Sequence, residues 1–301
     1  MKRRTLEAGT SRTMVAFANN LIIGIASGMI FGLVALGFVL VYRATGIVNF
    51  TQGSFVAIGG MLAAKLAESA KLPAVEVLLA CMVATGAVAL VVAVICVVAQ
   101  KVGGTLKALL VTVGLSIAFE GVLLAVFGTN PVSFGSPVGN KTLHLGGVLV
   151  LPQQLLIIVI VLAIVGLTQW FLGRTIWGMG MRASASNPVA ARLSSIPVLK
   201  TTFAAFVIGG ILAGLAGDLI TPLTAMAYNA DTTWTINGFS AAIIAGLVDP
   251  LGAIAGGLVL GIVETLVGAY VSSSYETAVA MVVMLVILVL RPRGLFSWSA
   301  S

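Results

Sequence analysis

Charge is what this sequence has least of. Only 8% of its 301 residues are Asp, Glu, Lys or Arg, against about 25% in soluble domains, so a water-facing surface cannot be built from them and a soluble globular protein is excluded. Histidine occurs once and cysteine twice. A lone His cannot form a His-based metal site, and no HExxH or Cys cluster occurs. Cys81 and Cys96 share one apolar run, which leaves them as packing residues rather than a disulfide framework. There is no Walker A phosphate loop, since Gly103 to Lys107 has the wrong spacing, and no G-x-S-x-G nucleophile elbow. With no recognisable catalytic group the chain is read as a non-enzyme that needs no cofactor. The net charge of +7 does not make a nucleic-acid patch either, because the bases sit singly or in small groups between apolar runs, the pattern of membrane topology signals.

Apolar residues supply 59% of the chain, and they fall into runs long enough to cross a bilayer. Leu21 to Tyr42 is uncharged over about 22 residues, a helix of roughly 33 Å. Val75 to Ala99, Leu106 to Phe127, Leu149 to Leu172, Thr202 to Leu219, Leu251 to Val271 and Thr277 to Leu290 follow as further spans. Two segments are poorer. Gly46 to Leu66 opens on Asn49, Thr51 and Gln52 and carries Gly53, Gly59 and Gly60, and Ile236 to Val248 is about half a span long. The Gly-, Pro- and Ser-rich stretch from Gly128 to Gly147 reads as an external loop, as does Thr221 to Trp234, which holds Asp231 and no base. Lys65 to Lys71 is a polar connection.

Gly173 to Lys200 contains Arg174, Arg182, Arg192 and Lys200 and no acidic residue, which places it in the cytoplasm by the positive-inside rule. Arg291 and Arg293 put the C-terminus on the same side, and Lys2, Arg3, Arg4 and Arg12 pull the N-terminus there too. Nine apolar segments conflict with two inside ends. One solution is eight crossings, with Gly46 to Leu66 re-entrant or discontinuous; the other is nine crossings with an external N-terminus. The expected fold is therefore an all-α membrane protein, a polytopic bundle of about eight transmembrane helices with one or two interrupted or re-entrant segments. It forms one domain over 1–301, with 173–200 as a cytoplasmic loop within it.

That loop contains a second signal. Asn187 followed by Pro188 is a helix start, an amide cap with proline in the first turn, and Pro197 stops continuation. A two-turn helix outside the membrane results. Val189 and Leu193 share one face, and Ala190 and Ala191 are small enough for close docking on another protein. An ordinary solvated loop helix is the other reading.

Gly178-x-x-x-Arg182-Ala183, Asn187-Pro188 and Ala190-Ala191-Arg192 resemble the cytoplasmic coupling loop of the branched-chain amino-acid ABC transporter permeases. Gly46 to Phe50 with Asn49 and Gly53, Gly252-Ala253 with Gly256-Gly257 and Glu264, and Arg291 to Phe296 resemble the same family in the same order along nearly the whole chain. The chain departs from the pattern at Thr51-Gln52 (usually Ala-His), Glu120 (Gln), Ser195 (Gly) and Ser297 (Gly). The resemblance implies a permease subunit of a bacterial inner-membrane ABC importer for branched-chain or other small amino acids. It implies as partners a second homologous permease, two ATP-binding cassette subunits and an extracytoplasmic solute-binding protein, and as ATPase-coupling residues Arg182, Ala183, Asn187, Pro188, Ala190, Ala191, Arg192 and Ile196. The departures leave an importer of urea, amides or small carboxylates open. An ion-coupled secondary transporter using Glu120, Asp218 and Glu264 is the alternative outside the family.

For the translocation path the candidates are Asn49, Gln52, Gly53, Asn237 and Glu264. Asn49 and Gln52 are three apart on one expected helical face beside Gly53, and buried amides in a membrane need partners, either another helix or a solute. Trp234 to Phe239 repeats the Asn-Phe pairing around Asn237. Glu264 and Glu120 are carboxylates in apolar runs, where a charge costs at least about 2.5 kcal/mol, so each faces protein or water or is protonated. Gly209, Gly210, Gly214 and Gly217 read as close helix-packing positions.

Overall fold

The structure is a computed structural model that describes residues 2–70, 72–139, 141–145, 148–247, 249–291 and 294–295, without the side chains of 2–13, 145 and 188. Lys71, Gly147, Val248, Arg293, Phe296 and Ser297 lie outside the described residues, as do the side chains of Lys2, Arg3, Arg4, Arg12 and Pro188. The long apolar runs form α1 (Lys2–Thr45), α3 (Ala74–Phe127), α4 (Pro152–Arg174), α7 (Val198–Ile220), α9 (Pro250–Tyr270) and α10 (Glu276–Leu290). α3 is two spans in one, broken at Gly103 and Gly104, where Gly104 takes φ 74°, a left-handed conformation that glycine adopts without a Cβ clash. Between these lie two short helices in the membrane, α2 (Gln52–Lys65) and α8 (Asp231–Ala245), and two in the central loop, α5 (Ile176–Ser186) and α6 (Pro188–Leu193). A small antiparallel hairpin, β1 (Leu143–Leu145) and β2 (Val148–Val150), closes the loop after α3.

The long membrane helices run between the same two ends. At one end the Leu149 amide donates to Asn19 Oδ1 at 2.9 Å, joining the start of α1 to the hairpin. At the other, Gln100 Nε2 donates to Thr45 O at 3.2 Å, and Tyr42, Gly46, Lys101, Ser184, Arg192 and Leu247 line one cavity of about 1180 Å³. α1 therefore ends beside the Arg-bearing loop and starts beside the hairpin. α2 runs parallel to α7, Gln52 meeting Gly209 and Gly60 meeting Gly217, so Gly46 to Lys65 crosses from the loop end to the hairpin end. It is discontinuous, not re-entrant. Seven complete spans and two partial ones make nine crossings, so the geometry takes the nine-crossing solution and places the N-terminal end of α1 opposite the Arg-bearing loop.

α1 and α9 pack antiparallel through glycines. A methyl on Gly24, Gly28 or Gly32 would stand 2.9, 2.8 or 2.9 Å from the backbone of Ile262, Gly257 or Leu258, and Ile254 respectively, closer than carbon atoms approach. In a bilayer, where apolar burial gives helices no preference for each other over lipid, such close backbone contact is a main source of association. Gly257→Ala would drive a methyl into Gly32 N and Gly28 O and is expected to cost about 1–3 kcal/mol, read as a lowered thermal midpoint in detergent. An unchanged midpoint would show that α1 and α9 separate without penalty. Gly210, Gly214 and Gly217 of α7 likewise leave no room for a methyl against Ala89, Thr85 and Val56, while Gly209 is less tightly packed, against Val41.

The topology has a direct check. Ser186 and Thr142 are exposed, while Cys81 and Cys96 are buried. In a single-cysteine series, Ser186→Cys should react with an impermeant maleimide only in inside-out vesicles, and Thr142→Cys only in right-side-out ones. Labelling of both from one side would overturn the arrangement.

Candidate functional site

The two interrupted segments meet at mid-depth. Gly46, at φ 69°, ends α1. Asn49 Oδ1 then accepts from the Thr51 amide at 3.2 Å and from Thr51 Oγ1 at 2.7 Å, a local side-chain turn that competes with helix and delays α2 until Gln52. Asn49 is thus outside the helix, and the expectation that Asn49 and Gln52 share a helical face is corrected. α8 begins at the same level, after the non-helical chain 221–230 has descended from the hairpin end. Residues 221–234, expected to be an external loop, in fact carry Asp231 and Trp234 into the bundle.

Both half-helices point their N-termini at the junction, where each contributes positive partial charge and free N–H groups. Asp231, 2% exposed, occupies it. Its Oδ2 accepts from Ser116 Oγ of α3 at 2.7 Å and from Ser54 Oγ of α2 at 3.3 Å, and its Oδ1 from the Thr232 amide at 2.8 Å. The carboxylate fastens three segments. Gly53 allows the approach, since a Cβ there would strike Asp231 O and Thr235 Oγ1. Phe50 seals one side, its ring 5.7 Å from that of Phe239, which is itself 5.7 Å from Phe38, while its amide donates to Thr112 Oγ1 at 3.2 Å.

Of the path candidates, Asn49, Gln52 and Gly53 are fully buried inside the protomer. Gln52 Nε2 donates to Gly209 O at 2.8 Å and sits against Gly37, so it wedges α1 and α7. Asn49 Nδ2 and Gln52 Oε1 have no hydrogen-bond partner among the described residues. Asn237 and Glu264 form a separate pair, Asn237 Nδ2 donating to Glu264 Oε1 and Oε2 at 3.0 and 3.3 Å. They border a cavity of about 480 Å³ with Ser27, Phe31, Trp234, Thr265 and Glu276. The two groups lie on opposite faces of α8, about half a turn apart, Thr235 facing Phe50 and Asn237 facing α9. Asp231, Ser54 and Ser116 were not read from the sequence as a site. An Asp at the start of a polar-to-apolar transition is the one local signal that marks it.

At the loop end, Asn187 Oδ1 accepts from the amides of Val189 and Ala190, both at 3.0 Å, so α6 starts as its sequence requires. Val189 and Leu193 are 65% and 84% exposed, Ala190, Arg182 and Arg192 are exposed, and Ala183 and Ile196 are half-buried. Ala191 is buried against the rest of the chain, so of the two small residues Ala190 alone is open to another protein. Ser195 takes φ 60°, which favours the Gly found there in the permeases that this loop resembles.

Residues 20–290 match the family described as branched-chain amino acid transport system / permease component. The chain belongs to that family. Among relatives of this permease are the high-affinity branched-chain amino acid transport system permease protein LivH of Escherichia coli K12, 26% identical over 95% of this chain and 97% of that one, and the probable LivH of Methanocaldococcus jannaschii, 27% identical over 87% of each. The ribose import permease protein RbsC of E. coli K12 is 30% identical over 90% of this chain and 85% of the relative. In fold the permease is similar to PsaBC from Streptococcus pneumoniae, with a TM-score of 0.51 and 15% identity over 92% of both chains. It is a multi-pass membrane permease of the ABC type, and its family is one of transporter subunits rather than enzymes.

Proposed function

We propose that this permease forms half of the translocation path of an ABC importer in a bacterial inner membrane, carrying branched-chain or other small amino acids. A second homologous permease completes the path, two ATP-binding cassette subunits drive it through α6, and an extracytoplasmic binding protein delivers the solute at the hairpin end. The observation that carries this reading is α6, a capped helix at the Arg-bearing end that presents Val189 and Leu193 to water. Apolar side chains so exposed on a helix end are the anchors of an interface. In the path, the Asn237–Glu264 pair beside its cavity supplies polar groups, while Asn49, Gln52 and Gly53 set the position of the broken segments that border it.

The test is uptake into proteoliposomes holding the permease pair, the ATPases and the binding protein. Leucine should accumulate only with ATP inside the ATPase-bearing compartment, and vanadate should stop it. Uptake that ionophores abolish and ATP does not affect would establish an ion-coupled carrier instead. A ribose permease among the relatives makes the solute a separate question, answered by competition with unlabelled leucine, urea, acetamide and ribose.

A further inference from the structure

We infer that the hairpin end of each protomer holds a binding site for an organic cation, a primary ammonium on a hydrocarbon body, with Asp218 as its counter-ion. The site is a cavity of about 440 Å³ between α3, α4, α7 and the loop after α3, walled by Val75, Leu78, Phe134, Leu156 and Ile160. Its volume lies within the roughly 300–1,000 Å³ of small-molecule pockets, and it has their usual make-up of apolar walls with few polar groups. Asp218, in the last turn of α7, is 8% exposed and lines it.

Asp218 differs from the other buried acids. Asp231 is held by two serines and an amide, and Glu264 by Asn237, but no described residue gives Asp218 a hydrogen bond or an ion pair. The nearby amide of Gln153 is committed elsewhere, its Nε2 donating to Leu219 O at 2.7 Å and its Oε1 accepting from Ser136 Oγ at 3.0 Å. Asp218 opens onto the cavity with no such partner, and a cation that enters the cavity supplies one through a charge-assisted hydrogen bond.

The walls define the rest of the ligand. Among the described lining residues Asp218 is the only charged one and no Lys or Arg is present, so the carboxylate of a zwitterionic amino acid would find no counter-ion. A sugar would meet too few hydrogen-bonding groups. A primary ammonium placed on Asp218, with its hydrocarbon against Val75, Leu78, Leu156 and Ile160, satisfies both parts of the cavity. That chemistry belongs to a free alkylamine and to the headgroup of an aminophospholipid, and the site is distinct from the Asn237–Glu264 cavity and independent of the transported solute.

The experiment is calorimetric titration of the purified full complex with cyclohexylamine, cyclohexanol and cyclohexanecarboxylate. The amine should bind once per copy of this chain, with the alcohol and the acid at least about tenfold weaker, the loss of one charge-assisted contact. Asp218→Asn should lose that preference, and Leu156→Trp, which fills the cavity and keeps the carboxylate, should lose amine binding. Equal binding of amine and alcohol, or unchanged amine binding in both variants, would overturn the proposal. So would amine binding that appears only in Lys71→Ala, since the chain would then supply its own ammonium. Native mass spectrometry from phosphatidylethanolamine and phosphatidylcholine nanodiscs separates the two sources. One ethanolamine lipid per chain, displaced by cyclohexylamine, assigns the site to lipid, and amine binding with no retained lipid assigns it to a free amine.

Discussion

Ala190→Trp is expected to abolish substrate-stimulated ATP hydrolysis by the assembled complex while leaving the permease inserted and folded. Ala190 is exposed on α6, so an indole there extends the outer surface of the helix, where a docking partner would meet it. The same substitution at Ala191, which is buried, would disturb the protomer and could not separate docking from folding. α6 is rigidly begun, with Asn187 holding two amides and a proline following it, so a docked ATPase that moves it moves the Asn187 junction with α5 as well. α5 contacts α1, α4 and α7, which connects the loop to the spans. Arg182→Glu reverses a charge on the same end, where among the described residues Arg182 donates only a long 3.4 Å bond to Gly173 O, and should give the same loss with the same retention of fold. Stimulated ATPase activity at wild-type level in both variants would reduce residues 173–200 to a connector.

The second large effect is expected at Asp231. Asp231→Leu leaves the Ser116 hydroxyl and the Thr232 amide without their acceptor and Ser54 Oγ with Ser116 Oγ alone, 3.2 Å away, and hydrogen bonds to a charged group contribute about 1.5–3 kcal/mol each, with a further penalty for groups left buried and unpaired. The two half-helix N-termini also lose the anion between them. The variant should show a thermal midpoint lowered by more than that of Gly257→Ala, and little transport. Asp231→Asn keeps an acceptor oxygen and the side-chain shape, so its midpoint should fall between wild type and Asp231→Leu. A wild-type midpoint for Asp231→Leu would remove the fastening role.

Local chemistry made parts of this molecule legible in advance. Asn187-Pro188 encodes α6 within six residues, because a cap and a proline act on their own backbone. The interruption near Asn49 was visible as polar and glycine residues in an apolar run, and the packing role of Gly209 to Gly217 followed from residue size. What the sequence concealed was set by partners far along the chain. Whether Gly46 to Lys65 crosses or turns back depends on Gln52 reaching Gly209, 157 positions away, and the choice between eight and nine crossings depends on how α1 lies against α9, which no local pattern shows. Asp231 looked like a loop acid, since the serines that receive it are 115 and 177 positions distant. In the candidate site, the Asn237–Glu264 pair could be suspected from two polar residues in apolar helices, whereas the separation of that pair from Asn49 and Gln52 depends on the rotation of α8, which no local pattern fixes.

The central claim is that an ATPase seats on α6, and the reactivity of one side chain tests it most directly. Leu193 is 84% exposed, and Leu193→Cys on a background without Cys81 and Cys96 places a single thiol at the end of that helix. Its labelling rate with a maleimide is measured in the permease alone and in the full complex with the ATP-binding subunits. Seating on α6 predicts fast labelling of the permease alone and labelling slower by at least about tenfold in the complex, as expected for a group moved from water into an interface core. Equal rates in the two preparations would contradict it.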